Sequence, residues 1–236
     1  MSQRVKFNFM NYFKKEKKKI EQGKFELMRR RLNWSLVSKP LLLEYCQKIA
    51  NDENNKGFPY RLFCYQASKD VNAETVQFGM GLNYTGIEKK DVKYSINGVE
   101  RSSKKYYEKQ CSLVFSQSPD GLVMVLLYPY KSDRHKRNED YIILYNRLFP
   151  EDITRAIIDK ILKNFAFYAR ISSLSGVAAG YSIYDRVRLF KMKFFDIRNR
   201  IARQNALMNL NSEWLKMLVT ALVTFVITIL AQKFGM

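Results

Sequence analysis

Histidine and cysteine are the side chains best suited to acid–base, nucleophilic or metal chemistry, and this chain has few of them. Its one histidine, His135, lies in the charged segment 131–140. Cys46, Cys64 and Cys111 are widely spaced and form no CxxC pair. A Ser–His or Cys–His pair and a metal cluster both need several such groups at defined spacings. The sequence therefore predicts no catalytic residue, no metal site and no cofactor, and it favours free thiols in a reducing compartment.

Phosphate binding would need a glycine-rich loop, and the GxG of this chain lacks the required context. Gly79-Met80-Gly81 lies inside the alternating segment 75–84 and opens no helix, whereas a phosphate loop joins a strand to a helix. The segment around His135 is interpreted as a solvated loop, with a loop that contacts an anion or nucleotide as the alternative. Carboxylates that are distant in sequence can be brought together by the fold. An enzyme that acts on lipids or nucleotides therefore remains an alternative.

Eight aromatic residues among the predicted strands could stack on bases, as in proteins that bind single strands. The body from 32 to 185 carries 21 basic and 17 acidic residues, and nucleic-acid affinity comes mainly from neutralising phosphates. Core packing and sheet surface are the favoured interpretation, so nucleic acid is a disfavoured partner. The eight are Tyr60, Phe63, Tyr65, Phe78, Tyr84, Tyr94, Tyr106 and Tyr107.

The positive charge is concentrated in two arms. The net charge is +19, and the segments 1–31 and 186–216 carry eleven and eight basic residues against three and two acidic ones. Near an anionic leaflet each Lys or Arg is worth about 1 kcal/mol. The basic residues predicted at a membrane surface are Lys14, Lys15, Lys17, Lys18, Lys19, Arg29, Arg30, Arg31, Arg198, Arg200, Arg203 and Lys216.

The first arm, 1–33, combines apolar positions at helical spacing with the lysine cluster and the arginine triplet. This pattern is typical of an amphipathic helix on a membrane surface. A solvated, partly disordered basic arm is the alternative, and either form would be drawn to anionic lipid.

The segment 212–236 is predicted to be a transmembrane anchor. Met217 to Ala231 contains no charge, proline or glycine, and the flanking Lys216 and Lys233 can extend their ammonium groups to the headgroups. A buried core helix is the alternative for a run of this length. Because basic residues crowd the N-terminal flank, we expect a single-pass protein of the inner or plasma membrane with its body in the cytoplasm.

Thr220, Thr224 and Thr228 recur every four residues within this segment. Such a ridge permits close packing and hydrogen bonds between helices in a bilayer. The alternative, which the residue type favours, is that each hydroxyl bonds the carbonyl four residues back in its own helix.

The segment 182–211 carries a heptad pattern. Apolar residues recur at alternating spacings of four and three, as at the a and d positions of a coiled coil. The pattern predicts self-association into a homo-oligomer, with packing on the chain's own domain and lying on the membrane surface as alternatives. These residues, called the seam below, are Ile183, Val187, Phe190, Phe194, Ile197 and Ile201.

Between the arms the sequence predicts an α+β domain, 34–172, with an antiparallel sheet flanked by helices, followed by a flexible linker or a tight helix–helix turn, 173–181. Alternation of period two and tight-turn sequences at 97–98 and 118–121 predict hairpins. Strands are expected at 60–66, 75–84, 91–96, 99–107, 111–117, 122–128 and 141–146, and helices from Pro40 and from Phe149. The wholly apolar run 122–127 predicts a central strand covered on both faces.

Together these features favour a membrane-anchored effector or sensor without enzymatic activity. In this interpretation the domain senses a small-molecule ligand, a nucleotide or a partner, and anchors cluster to perturb the lipid bilayer, as in microbial stress or antiviral defence. The alternative is a tethering adaptor whose basic arms hold anionic lipid, nucleic acid or an acidic protein. An enzyme at the membrane surface is the third possibility.

Overall fold

The structure, a computed structural model, describes residues 2–66, 74–95, 98–132, 137, 139–199, 202, 204–205, 216–217 and 220–221, and the side chains of all but 2–10, 91–95 and 98–101 of them. The chain divides into two units, Met1–Phe190 and Lys191–Met236. The predicted fold class is confirmed at its coarse level, because an antiparallel sheet is flanked by helices in an α+β arrangement.

Two helices, α1 (Ser2–Asn33) and α2 (Lys39–Asn55), are joined by a π-helical turn, Trp34–Ser38. The basic arm is therefore helical, and the chain is not interrupted at Ser38-Lys39-Pro40. The turn is wider than an α-helix, because the Lys39 amide donates to the Trp34 carbonyl five residues back. A proline ring clashes with the carbonyl four residues before it in a regular helix, and the wide turn falls directly before Pro40.

Within the described residues, seven strands form two separate sheets. The main sheet has five antiparallel strands in the order β1-β2-β5-β6-β7, and β3 and β4 form a two-stranded ribbon inserted between β2 and β5. The strands are β1 (Leu62–Gln66), β2 (Thr75–Met80), β3 (Asn83–Ser95), β4 (Gly98–Glu108), β5 (Cys111–Gln117), β6 (Val123–Tyr128) and β7 (Ile142–Leu148).

The strand predicted at 75–84 is divided between the two sheets. Val76, Phe78 and Met80 are buried in the main sheet, whereas Leu82 and Tyr84 are exposed. The alternation of apolar residues continues across this break, so the pattern did not reveal that the chain leaves one sheet for the ribbon. The segment at 118–121 does turn tightly, with Gly121 at φ 78°.

One face of the main sheet forms the core. Its side chains include Leu113, Phe115, Val125 and Leu127, all fully buried. The side chains on the opposite face of β6 are only half-buried, and only β7 separates β6 from the edge of the sheet. The prediction of a central strand covered on both faces is therefore wrong.

Helices α2 and α3 (Arg155–Ser172) lie together over this core. The Phe78 ring on β2 meets the Phe165 ring of α3 edge to face, with centroids 5.4 Å apart. The Tyr45 hydroxyl of α2 donates to Asp159 of α3 at 2.8 Å. Helix α3 begins later than Phe149, because Pro150–Asp152 forms a short 3₁₀ turn and Thr154 caps the helix by accepting from the Ile157 amide.

The predicted linker contains a short helix, α4 (Leu174–Ala179), which turns the chain from α3 toward α5 (Ile183–Phe195). Gly176 makes this corner tight: a Cβ atom there would lie 1.8 Å from the Arg170 carbonyl oxygen. Small residues are therefore needed for close packing between α3 and α4 rather than for flexibility.

No helix within the described ranges combines the length and apolar content that crossing a bilayer requires. The predicted anchor, 212–236, lies outside the described residues except for positions 216–217 and 220–221.

Candidate functional site

A pocket of about 670 Å³ opens beside the corner between α3 and α4. Its walls come from the loop after α2, the end of β2, and helices α3, α4 and α5. The lining is mostly hydrocarbon and aromatic, with two arginines and no acidic residue. It consists of Phe58, Pro59, Tyr60, Met80, Ala166, Phe167, Arg170, Ser173, Ser175, Gly176, Ala179 and Arg188. Ligand sites in proteins typically have such a volume and composition.

Two guanidinium groups flank the Phe167 ring at this pocket. The Arg188 guanidinium lies 4.3 Å from the ring centroid and that of Arg170 lies 5.6 Å from it. Arg170 forms an ion pair with Asp185 of α5, with Nη2 2.5 Å from Oδ1. Arg188 donates to the Lys163 carbonyl and to the Asn164 side chain, which are neutral acceptors. The two arginines thus attach α5 to α3 and leave a positive charge beside the pocket.

The start of α5 is fixed by a reciprocal cap. The Asp185 amide donates to the Ser182 hydroxyl, and the Ser182 amide donates to the Asp185 carboxylate, which is the capping-box arrangement. The hydrogen bond from Arg170, followed by these bonds to Ser182, holds the pKa of the Asp185 carboxyl below its ordinary value. The carboxylate therefore stays charged and keeps α5 against α3.

Buried polar groups next to the pocket stabilise the corner between α3 and α4. The Glu108 carboxylate is buried and accepts from the Asn83 side chain and from the Leu174 amide at the start of α4, each at 2.8 Å. Burial raises the pKa of the Tyr130 and Tyr168 hydroxyls, so both remain neutral. Neither residue lines the pocket.

Most of the seam residues described by the structure are exposed. Ile183, Val187, Phe190 and Phe194 are between 44 and 81% exposed, Ile197 is half-buried, and Ile201 lies outside the described residues. The polar face of α5, with Asp185 and Arg188, is the face that contacts α3.

The lysine cluster of α1 lies on an exposed part of the helix. Lys14, Lys15, Lys17, Lys18 and Lys19 are all exposed. Lys19 pairs with Glu16 at 2.8 Å and Lys17 with Glu21 at 3.8 Å. Exposed pairs of this kind contribute little to stability, and the ammonium groups of the cluster remain accessible to solvent.

The arginine triplet instead contacts the domain. Arg29 pairs with Glu151 at 2.9 Å, Arg31 donates to the Pro119 carbonyl at 3.0 Å, and the Arg30 guanidinium lies 5.0 Å from the Phe149 ring. The structure thus gives these three residues a role in attaching α1, which the charge pattern alone did not indicate.

The remaining predicted residues, apart from His135, lie in the second unit. Arg198 forms a bidentate pair with the buried Asp196, and Lys216 is exposed. The Thr220 hydroxyl donates to the Lys216 carbonyl at 2.8 Å, the local bond expected under the alternative interpretation of the threonine ridge. Arg200, Arg203, Thr224 and Thr228 lie outside the described residues, as does His135.

A second groove, of about 700 Å³, runs between α1 and the β5–β6 turn. Its charged lining residues are Lys24, Arg31 and Glu74, so both signs of charge are represented. Within the described part of the chain, no group of three or more His, Cys, Asp or Glu side chains could hold a metal ion.

Sequence reasoning missed the pocket because its walls come from five separate elements. The Ser-Gly-rich segment after α3 was the nearest signal, since small residues allow the close corner that shapes one wall. Arg188 lies inside the heptad segment, but at a position that the a and d pattern leaves out.

No protein family, curated protein or solved structure matches this chain.

Proposed function

We propose that the protein is a membrane-anchored effector or sensor without enzymatic activity. Its α+β domain binds a ligand or partner, the seam on α5 brings copies of the chain together, and the C-terminal segment 212–236 anchors them in the inner or plasma membrane. Clustering of the anchors perturbs the bilayer, an organisation suited to microbial stress or antiviral defence.

The exposure of the seam carries this proposal. Ile183, Val187 and Phe190 project from the domain although they are large and apolar. Burying one such side chain is worth about 1.5–3 kcal/mol, and contiguous exposed apolar surface marks interaction sites in proteins. The exposure argues against packing on the chain's own domain.

A second copy is the favoured partner because of the spacing. A flat membrane surface requires only an apolar side on the helix, whereas the alternating spacing of four and three keeps one narrow stripe facing another helix. The apolar run from Met217 to Ala231 follows in the sequence, so helices that associate through the seam would bring their anchors together.

Membrane fractionation and crosslinking test this function. We expect the full chain to fractionate with membranes and a chain lacking 212–236 to be released. Replacing Phe190 and Phe194 with lysine should abolish crosslinked oligomers and toxicity on overexpression while the protein stays in the membrane fraction. Tyr184→Lys is the control, because this large side chain is exposed but lies off the seam. A seam variant that still forms oligomers contradicts the proposal.

The tethering adaptor is a second candidate, supported by the exposed lysine cluster of α1. Removing 1–22 deletes this cluster and leaves the docking contacts of Arg29, Arg30 and Arg31 in place. An adaptor should then lose its anionic partner, whereas the effector should remain toxic. Replacing only Lys14, Lys15, Lys17, Lys18 and Lys19 with glutamine gives the same comparison without shortening the helix.

A further inference from the structure

We infer that the pocket at the α3–α4 corner binds an anionic amphiphile, a hydrocarbon body that carries one carboxylate or phosphate group, and that Arg188 holds the anion. This inference deepens the proposed function and rests on it, since it names the ligand class that the domain senses.

The walls of the pocket select a hydrocarbon body. Pro59, Met80, Ala166, Phe167 and Ala179 line it with carbon atoms. A water-filled apolar cavity favours a ligand that removes this surface from water. The volume of about 670 Å³ lies within the range of sites that enclose most of a small ligand.

The charge of the pocket selects an anion. Arg170 is neutralised by Asp185, but no carboxylate of the described residues pairs with Arg188, which donates only to a carbonyl and an amide oxygen. The lining includes no acidic side chain. A guanidinium can bind a carboxylate or phosphate through two parallel hydrogen bonds, and stacking on Phe167 at 4.3 Å positions it beside the pocket.

The scarcity of polar lining atoms disfavours a nucleotide. The hydroxyl of Ser173 is already engaged, because it donates to the Arg170 carbonyl and accepts from the Gly176 amide. Tyr60 and Ser175 carry the other two side-chain hydroxyls in the lining. A base and a ribose would therefore bury several polar groups without partners, which is costly. A hydrocarbon ligand with a single charged head group leaves no such polar group unpaired.

Photolabelling of the full-length protein in phosphatidylcholine nanodiscs tests this site. The probe is a palmitate analogue that carries a diazirine and an alkyne, and labelled peptides are identified by mass spectrometry. We expect labels on the segments 58–60, 166–170 and 176–179. Palmitate or hexadecyl phosphate should reduce the labelling at least fivefold, and the stronger competitor distinguishes a carboxylate head from a phosphate head. Hexadecanol and AMP should leave it unchanged.

Two variants locate the anion and the body separately. Arg188→Gln should reduce labelling at least fivefold and Arg188→Lys should restore part of it, whereas Arg186→Gln, on the same helix but outside the lining, should not change it. Ala166→Phe fills the pocket from an exposed helical position that tolerates a larger side chain, so it should block labelling even if Arg188→Gln fails to fold.

Labelling outside these segments, or undiminished labelling of both Arg188→Gln and Ala166→Phe, overturns the inference. Equal competition by hexadecanol would contradict the requirement for an anionic head group. Competition by AMP would contradict the requirement for a hydrocarbon body. The outcomes separate this inference from the proposed function. Specific labelling together with a monomeric chain would retain the site and reject the effector, whereas membrane-bound oligomers without labelling would reject the site alone.

Discussion

The thiols of Cys46 on α2 and Cys64 on β1 form a hydrogen bond with each other. This bond lowers the pKa of the Cys64 thiol, although partial burial opposes the shift. The same bond, together with burial, raises the pKa of Cys46. The two thiols therefore differ in acidity, and Cys64 loses its proton more readily than Cys46.

Iodoacetamide should therefore modify Cys64 faster than Cys46 or Cys111 near neutral pH, because the thiolate is the reacting form. Cys46→Ala removes this hydrogen bond, so the pH at which Cys64 becomes reactive should rise and its rate at pH 7 should fall severalfold. Mass spectrometry of tryptic peptides over a pH series measures both changes. Cys111 provides the internal reference, since burial raises the pKa of its thiol. An unchanged pH profile in Cys46→Ala would contradict the assignment.

Gly176→Ala should destabilise the domain by about 3 kcal/mol or prevent its folding, because the new Cβ would meet the Arg170 carbonyl oxygen of the preceding helix. Urea denaturation followed by circular dichroism measures this loss. Gly23→Ala is the control, because Gly23 lies in α1 with no atom within 4 Å of the added Cβ. This substitution should raise the free energy of unfolding by about 0.5–1 kcal/mol. Equal stabilities of the two variants would show that the corner is less tightly packed than described.

Glu108→Ala should lower the free energy of unfolding by about 2–4 kcal/mol, since it leaves the partly buried Asn83 side-chain amide and Leu174 backbone amide without an acceptor. Asn83→Ala removes only one of these donors and should cost less. Chemical denaturation of both, beside Glu44→Ala at an exposed position of α2, gives the comparison. A small effect of Glu108→Ala would mean that water replaces the carboxylate.

Acid should weaken the attachment of α5 to α3 through Asp185. Its pKa is lower in the folded chain than its ordinary value of 3.8, so it contributes stability above that value and loses the contribution as the pH falls through the folded pKa. Asp185→Asn should therefore have a lower Tm than the wild type at pH 7, and the difference should vanish below the folded pKa. Arg170→Gln removes the main cause of the shift and brings the folded pKa closer to the ordinary value, so the acid-dependent loss should be smaller and should be complete at a higher pH. A Tm difference independent of pH would exclude Asp185 as the titrating group.

Local patterns predicted the elements of the fold better than their arrangement. The strand expected at 111–117 is β5, because alternation and flanking turns are properties of neighbouring residues. The division of 75–84 between two sheets, by contrast, depends on how Leu82 and Tyr84 meet the rest of the chain, and alternation is the same on both sides of the break.

The candidate site shows the same difference. The seam could be read from spacing alone, since each helical turn repeats the one before it. The pocket could not, because Phe58, Met80, Gly176 and Arg188 meet only after the chain has folded. The arginine triplet gave no local sign of its partners either, as Glu151 and Pro119 are distant in sequence.

The π-helical turn joins α1 to α2 without a break, and this continuity makes the N-terminal helix a spacer of fixed length. Arg29, Arg30 and Arg31 clamp one end to the domain. The lysines between Lys14 and Lys19 stand on average about 20 Å further along the axis, given a rise of about 1.5 Å per residue. Any anionic surface that these lysines bind is therefore held away from the sheet by this length of helix.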